Sequence, residues 1–308
     1  MTRKKIRIFL RVICGKNQML NERRIAMFLG ILLFLSFVLP FAQAEPATGV
    51  VNASDGVPIH YAVQGKGDPA LVFIHCWSCD RTYWDSPARE FAKTNRVVTI
   101  DLPGHGQSGT GRKAWSVESF GDDVKAVVTK LDLKRVVLIG SSMGGPISLE
   151  AAKRMPDRVV AIVPVDSLLN VDQKIPPEQL AQIFKLFEAD YKGTVTTMTN
   201  QYFFSPNTPE AVKERVIRDA TSRPQEMAIA ILKGIFSYDA VPAFRETKVP
   251  IYAINGDRAP TDLEANRKYA PQFDATILKG MGHYPMLEDP ARFNQALADV
   301  LKKLPPRK

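Results

Sequence analysis

Five residues, Gly140-Ser141-Ser142-Met143-Gly144, carry the strongest chemical signal in this chain of 308 residues. They follow the apolar run Val136-Val137-Leu138-Ile139 and open a helical pattern. A turn from strand straight into helix forces its middle residue into a strained backbone geometry, and glycines two before and two after make room for it. Ser142 is therefore expected to project its hydroxyl above the C-terminal edge of a sheet. The first amides of the following helix point at the same place, where they favour an oxygen that is gaining negative charge. The pattern suits a nucleophilic serine.

A serine hydroxyl near neutral pH needs a base to take its proton. The chain offers four histidines, His60, His75, His105 and His283. His60 lies inside a predicted strand and His75 ends one, so both suit structural roles, and His105 sits in a glycine-rich loop. His283 stands in Lys279-Gly280-Met281-Gly282-His283, directly after the last predicted strand and so at the same sheet edge as Ser142. A nucleophile on a strand–helix turn with a histidine late in the chain is a coherent order. His283 is the candidate base.

Two other motifs suggest different chemistry and lack support. Gly104-His105-Gly106-Gln107-Ser108-Gly109 matches a dinucleotide-binding fingerprint after a strand, with Asp122 and Asp123 further on. No helix opens there, however, and those acids fall inside a helical pattern and not at the end of the next strand. Cys76-Trp77-Ser78-Cys79 lies between a strand and a helix, as a redox pair would, yet no other residue supports thiol exchange. No two histidines sit at metal-ligand spacing. Neither a metal nor a cofactor is expected.

Short apolar runs alternating with helical patterns must position these groups, and they argue for βαβ units and a mainly parallel sheet. Residues 50–52 and 59–63 flank the turn signal Ser54-Asp55-Gly56 and read as an opening hairpin. Further strands are predicted at 70–75, 96–100, 135–139, 159–165, 250–254 and 275–278. Helices are predicted near 80–93, 116–131, 143–155, 262–270 and 289–303, the last opened by Asp289 as cap and Pro290 in the first turn. Right-handed crossovers then place helices on both faces of the sheet.

The rhythm breaks between 165 and 250. This stretch carries helical patterns near 177–191, 193–203, 209–221 and 224–236, punctuated by Pro176-Pro177, Ser205-Pro206, Thr208-Pro209 and Pro224. It is too long for a loop and reads as a helical cap over one sheet edge. Its apolar residues Ile183, Phe184, Phe187, Tyr202, Phe203, Phe204, Met227, Ile231, Ile235 and Phe236 are expected mostly to bury the cap against the core, with some free to line a pocket.

Over about residues 48–304 the chain resembles the α/β-hydrolase superfamily, in its serine-nucleophile, cap-bearing branch. The likeness rests on features in the right order: Phe73-Ile74-His75-Cys76-Trp77, Asp101-Leu102-Pro103-Gly104-His105-Gly106-Gln107-Ser108, the turn at Ser142, and Gly282-His283. It implies a mostly parallel eight-stranded sheet with helices on both faces and a cap inserted after strand 6. The domain boundaries are then 45–166 with 248–308 for the core and 167–247 for the cap. It also implies that the backbone amides of Trp77 and Met143 form an oxyanion hole.

The sequence departs from the family's pattern twice. The residue after His75 is usually glycine and here is Cys76, which stands at pairing distance in sequence from Cys79. The acid that orients the histidine usually lies three residues after the glycine closing the seventh strand, but Ala259 occupies that slot after Gly256. The substitutes are Asp257 on the same loop and Asp166 at the end of the sixth strand, with Asp262 a third choice. Each keeps the order serine, acid, histidine, so the acid stays open between Asp166 and Asp257.

Composition limits what else the protein does. It is 45% hydrophobic and 24% charged, an ordinary globular balance. The net charge of +9 is uneven, because residues 1–44 hold eight Arg or Lys against one acid and the remainder holds 33 basic against 31 acidic residues. A nucleic-acid footprint belongs on the folded part of a chain, so no nucleic-acid partner is expected. Residues 25–39 are almost wholly apolar, follow Arg23-Arg24 and lead to Ala42-Gln43-Ala44, a signal-peptidase pattern.

Cleavage after Ala44 would remove Cys14 with the leader and deliver a secreted or periplasmic protein with no membrane attachment. Two remaining cysteines make no disulfide scaffold. The expected activity is hydrolysis of a small carboxylic ester or lactone through an acyl-enzyme. Against it stand a ligand-binding protein that has lost turnover and a thiol–disulfide oxidoreductase using Cys76 and Cys79. The sequence leaves the oligomeric state open.

Overall fold

Eight short apolar runs form a single sheet in the computed structural model, which describes residues 45–304. The expected leader, 1–44, lies outside the described residues. The strands are β1 (Ala47–Asn52), β2 (Pro58–Gln64), β3 (Ala70–Ile74), β4 (Val97–Ile100), β5 (Val136–Ser141), β6 (Val159–Val165), β7 (Ile251–Gly256) and β8 (Phe273–Leu278). Their spatial order is β1-β2-β4-β3-β5-β6-β7-β8. β2 runs antiparallel to both its neighbours, β1 and β4, and all pairs from β4 to β8 are parallel. The expected hairpin turn forms between β1 and β2, with Gly56 at φ +86° and the Ala53 amide donating to the Val57 carbonyl at 2.8 Å.

Period-two alternation in the strands feeds two cores, one on each face of the sheet. In β3, Ala70, Val72 and Ile74 join one core while Leu71 and Phe73 join the other. Helices α1 (Asp85–Phe91), α2 (Val117–Lys130) and α3 (Gly144–Arg154) follow β3, β4 and β5. Phe120, Val124 and Val127 of α2 pack on the first core with Ile147 and Ala151 of α3. Phe91 of α1 packs on the second. The expected helix at 80–93 resolves into a 3-10 turn, Arg81–Trp84, opened by the Asp80 side chain, which accepts from the Thr82 amide at 2.9 Å, and then α1.

Between β6 and β7 lie five helices among the described residues: α4 (Pro177–Ala189), α5 (Tyr191–Tyr202), α6 (Glu210–Thr221), α7 (Gln225–Phe236) and α8 (Val241–Glu246). The sequence did not predict α8, a six-residue helix with proline in its first turn. Phe184, Phe187, Tyr191, Val195, Ala220, Ala228, Ile229 and Leu232 give this insertion a small core of its own, against which Trp77 packs. Ile231 instead joins the sheet core. After β7 come α9 (Leu263–Arg267), the unpredicted one-turn α10 (Pro285–Glu288) and α11 (Pro290–Lys302). Asp289 caps α11 by accepting from the Arg292 amide at 3.1 Å, with Pro290 in its first turn. No helix of the described residues is long and apolar enough to cross a membrane.

Candidate active site

Three strand ends bring three side chains to one edge of the sheet. Ser142 follows β5 with φ +52°, a region costly for any residue but glycine. The structure holds it there through its backbone. The Ser142 amide donates to the Val165 carbonyl at 3.0 Å, and its carbonyl accepts from the Ser167 hydroxyl at 2.6 Å and the Gly145 amide at 3.0 Å. The flanking glycines are required by contact. A Cβ on Gly140 would lie 2.0 Å from the Gly144 carbonyl oxygen, and one on Gly144 would lie 2.6 Å from that of Ile74.

Asp166 follows β6, also at positive φ, +42°. Its amide donates to the Ile254 carbonyl at 3.0 Å, so the chain is still tied to β7 as it turns. Its carboxylate then has two partners. Oδ1 accepts from the Gly256 amide at 3.0 Å, and Oδ2 lies 2.5 Å from His283 Nδ1. Both side chains are 14% exposed, sheltered yet reachable.

The structure brings Asp166, and not Asp257 or Asp262, to the imidazole. Asp257, exposed on the loop after β7, instead accepts from the Gly280 amide of the loop after β8 at 2.8 Å. Asp262 caps α9 by accepting from the Ala265 amide at 2.9 Å. Ala259, at the family's usual acid position, is exposed. The physical reason is register: β6 and β7 are adjacent, Val165 pairs with Ile254, and the Asp166 side chain just beyond reaches the Gly256 amide, which fixes its orientation.

His283 is held from several sides. Its amide donates to the Phe203 carbonyl at 2.7 Å, and the Phe203 ring stacks on its imidazole, centroids 4.5 Å apart at 19°. The amides on either side, Gly282 and Tyr284, both donate to the Glu288 carboxylate, at 2.7 and 3.0 Å. Tyr284 is buried, and burial, with Asp166 and Glu288 nearby, pushes its phenol above the usual range, so it stays neutral. Neither Phe203 nor Glu288 had a sequence signal for this placement: one ends an insertion helix, the other lies in the short α10.

Trp77 and Met143 both line the cavity that contains Ser142 and His283. Trp77 sits between Cys76 and Cys79, which form a disulfide. Its indole donates to the Ala228 carbonyl of α7 at 3.0 Å, and the Arg223 guanidinium donates to the Cys79 carbonyl at 3.1 Å. Both cysteines are only 2% exposed, a poor arrangement for exchange with a partner protein's thiol.

The other histidines have structural surroundings. His75 is fully buried and receives the Leu102 amide on Nε2 at 3.0 Å, while Nδ1 lies 2.7 Å from the Cys76 carbonyl. That pair of contacts selects the neutral Nδ1–H tautomer. His105, also buried, packs on His75 with centroids 4.8 Å apart. Burial lowers the pKa of both rings. His60 lies within β2. The loop from 104 to 109 opens no helix; instead the buried Asp101 carboxylate ties it down through the Gln107 amide at 3.0 Å and also accepts the Arg81 amide at 2.8 Å.

The cavity has a volume of about 530 Å³. Its walls are largely apolar, with Leu168, Ile175, Leu232, Ile235 and Phe236 among them, and Asn170 and Gln173 supply polar groups. Of the insertion's apolar residues, Phe203, Ile235 and Phe236 face this space, Phe184 and Phe187 fill the insertion's own core, and Tyr202 is exposed. Among the described residues no group of three His, Cys, Asp or Glu could hold a metal ion.

Residues 71–296 match the model of the alpha/beta hydrolase family, and the chain belongs to that family. It is 23% identical over 255 residues to 3-oxoadipate enol-lactonase 2 of Acinetobacter baylyi, covering 80% of this chain and 94% of that one. It is 27% identical over 208 residues to the pimeloyl-[acyl-carrier protein] methyl ester esterase of Aliivibrio fischeri, covering 65% and 78%. A solved structure described as an N-acyl homoserine lactone degrading enzyme superposes with a TM-score of 0.72 at 25% identity, covering 82% of this chain and 99% of that one. The fold, the family and these relatives make the protein a hydrolase.

Proposed function

We propose that the protein is an exported serine hydrolase of small carboxylic esters or lactones. The observation that carries this reading is the 2.5 Å contact between Asp166 Oδ2 and His283 Nδ1, on a cavity that also exposes Ser142 at the apex of its strained turn. With Nδ1 engaged by the carboxylate, Nε2 is the nitrogen left to take the Ser142 proton. Ser142 Oγ then attacks the carbonyl carbon, and the Trp77 and Met143 amides receive the charge on the carbonyl oxygen. Asp166 stabilises the imidazolium. As the tetrahedral intermediate collapses, His283 returns the proton to the leaving oxygen. A water molecule, deprotonated by His283 in turn, attacks the acyl-enzyme and releases the acid. No cofactor takes part.

Residues 167–247 serve as the cap in this reading, and cleavage after Ala44 precedes activity outside the cytoplasm. The apolar walls favour a substrate whose acyl or alcohol part is uncharged. Relatives that act on an enol-lactone, a methyl ester and an acyl homoserine lactone support ester and lactone chemistry in general. The test is turnover by residues 45–308 of a panel of p-nitrophenyl esters of increasing acyl length and of acylated lactones, with Ser142→Ala as control. Hydrolysis that this substitution abolishes is the expected result. A panel untouched by well-folded protein, or turnover that survives Ser142→Ala, would overturn the assignment.

A further inference from the structure

The loop after β7 carries no acid at the family's usual position, but it carries Arg258. The guanidinium donates from Nε to the Tyr202 carbonyl and from Nη1 to the Phe204 carbonyl, both at 2.6 Å. It thus grips the insertion on both sides of Phe203. Phe203 in turn makes two contacts with His283, its carbonyl accepting the His283 amide at 2.7 Å and its ring lying against the imidazole at 4.5 Å. The end of β7 orients Asp166 through the Gly256 amide, and the loop that follows holds the His283 loop through Asp257 and the Gly280 amide.

We propose that Arg258 is a positioning residue for His283: it fixes the segment Tyr202–Phe204 so that Phe203 holds one face and the backbone of the base. This rests on the serine-hydrolase reading of the site for its kinetic consequence, but not for its structural one. Charge-assisted bonds from one planar guanidinium to two carbonyls define a direction that a single contact would not. Arg258 does not line the cavity, so it acts on the base without touching substrate. A base displaced by a fraction of an ångström loses alignment with the serine oxygen, and such losses act on the chemical step more than on binding. The insertion then has a second duty beyond shaping the pocket: it completes the setting of the base.

The experiment compares wild type, Arg258→Ala, Arg258→Lys and Phe203→Leu in the full mature chain, with thermal melts to confirm folding. The first readout is the kcat against KM split on whichever ester the wild type turns over best. The second is the low-field proton resonance of the His283–Asp166 hydrogen bond, which needs no activity. Arg258→Ala is expected to lower kcat roughly tenfold with KM within about twofold, and to broaden or shift the resonance. Arg258→Lys should recover part of both, and Phe203→Leu should broaden the resonance at least as much. A kcat within about twofold of wild type, a loss confined to KM, or a resonance unchanged in Arg258→Ala would each overturn the proposal. If the wild type proves inactive, the hydrolase reading fails separately, and the resonance alone decides whether Arg258 positions the ring.

Discussion

The Gly256 amide donates to Asp166 Oδ1 at 3.0 Å, and this bond turns the other carboxylate oxygen toward His283. An acid borne by β6 is thereby oriented by the last residue of β7. Two adjacent parallel strands share the work that one loop does in the family pattern, and the loop is left free to hold other parts of the edge.

The two aspartates should therefore behave differently. Asp166→Asn is expected to lower kcat about a thousandfold or more, because the amide no longer stabilises the imidazolium and disturbs its tautomer. Asp257→Asn removes only part of a surface contact with the Gly280 amide, so its effect should stay within about threefold. Steady-state kinetics of both variants on one ester checks this. Equal losses would mean that Asp257 has a catalytic role that its position does not explain.

The pairing of those aspartates marks where the sequence stops being informative. The placement of Ser142 and His283 at one edge was legible because each sits in a glycine-bearing motif just after a strand, and a parallel sheet puts every such point at the same edge. Asp166 and Asp257 also each follow a strand directly, β6 and β7, and those strands are neighbours in the sheet. What separates them is the positive φ of Asp166 and the amide of Gly256, both products of tertiary register. The helices α8 and α10 escaped because each spans six residues or fewer, with proline in its first turn, too short for a periodic pattern. Phe203 read as one apolar residue among ten in the insertion. Its stacking on His283 depends on how the end of α5 meets the loop after β8.

Removing the disulfide should loosen the segment that carries the Trp77 amide. The double substitution Cys76→Ser, Cys79→Ser is expected to cost about 2 kcal/mol of stability or less, as the closed loop is short. It should lower kcat more than it raises KM, since the proposed oxyanion donor would act in the transition state. Turnover with and without a dithiol reductant, together with thiol titration, checks the point. Unchanged kinetics in protein with two free thiols would show that Cys76 and Cys79 only pack.

Acid should destabilise the fold through His75 and His105. Burial lowers both pKa values below the ordinary histidine range. Below about pH 6.5 the unfolded chain then binds more protons than the folded one. Stability is accordingly full above that pH and is lost as pH falls, with a slope of up to about 1.4 kcal/mol per pH unit for each ring. Urea unfolding from neutral to mildly acidic pH measures the slope. His105→Gln should make it shallower whatever it does to the midpoint, and an unchanged slope would exclude His105 as a contributor.

The glycine before the serine turn should tolerate no side chain. Gly140→Ala puts a methyl group 2.0 Å from the Gly144 carbonyl oxygen, backbone against backbone. The turn must open or the helix α3 must shift, at a cost of about 2–4 kcal/mol. A urea midpoint close to wild type would show that the turn is softer than its contacts imply.

The central claim is that Ser142 is an activated nucleophile served by His283 and Asp166. Its most direct measurement is reaction of residues 45–308 with a fluorophosphonate, the modified residue being mapped by peptide mass spectrometry. Stoichiometric labelling at Ser142, abolished by Ser142→Ala and slowed strongly by His283→Ala and Asp166→Asn, is the predicted result. Folded protein that does not react, or labelling at a residue other than Ser142, would contradict it.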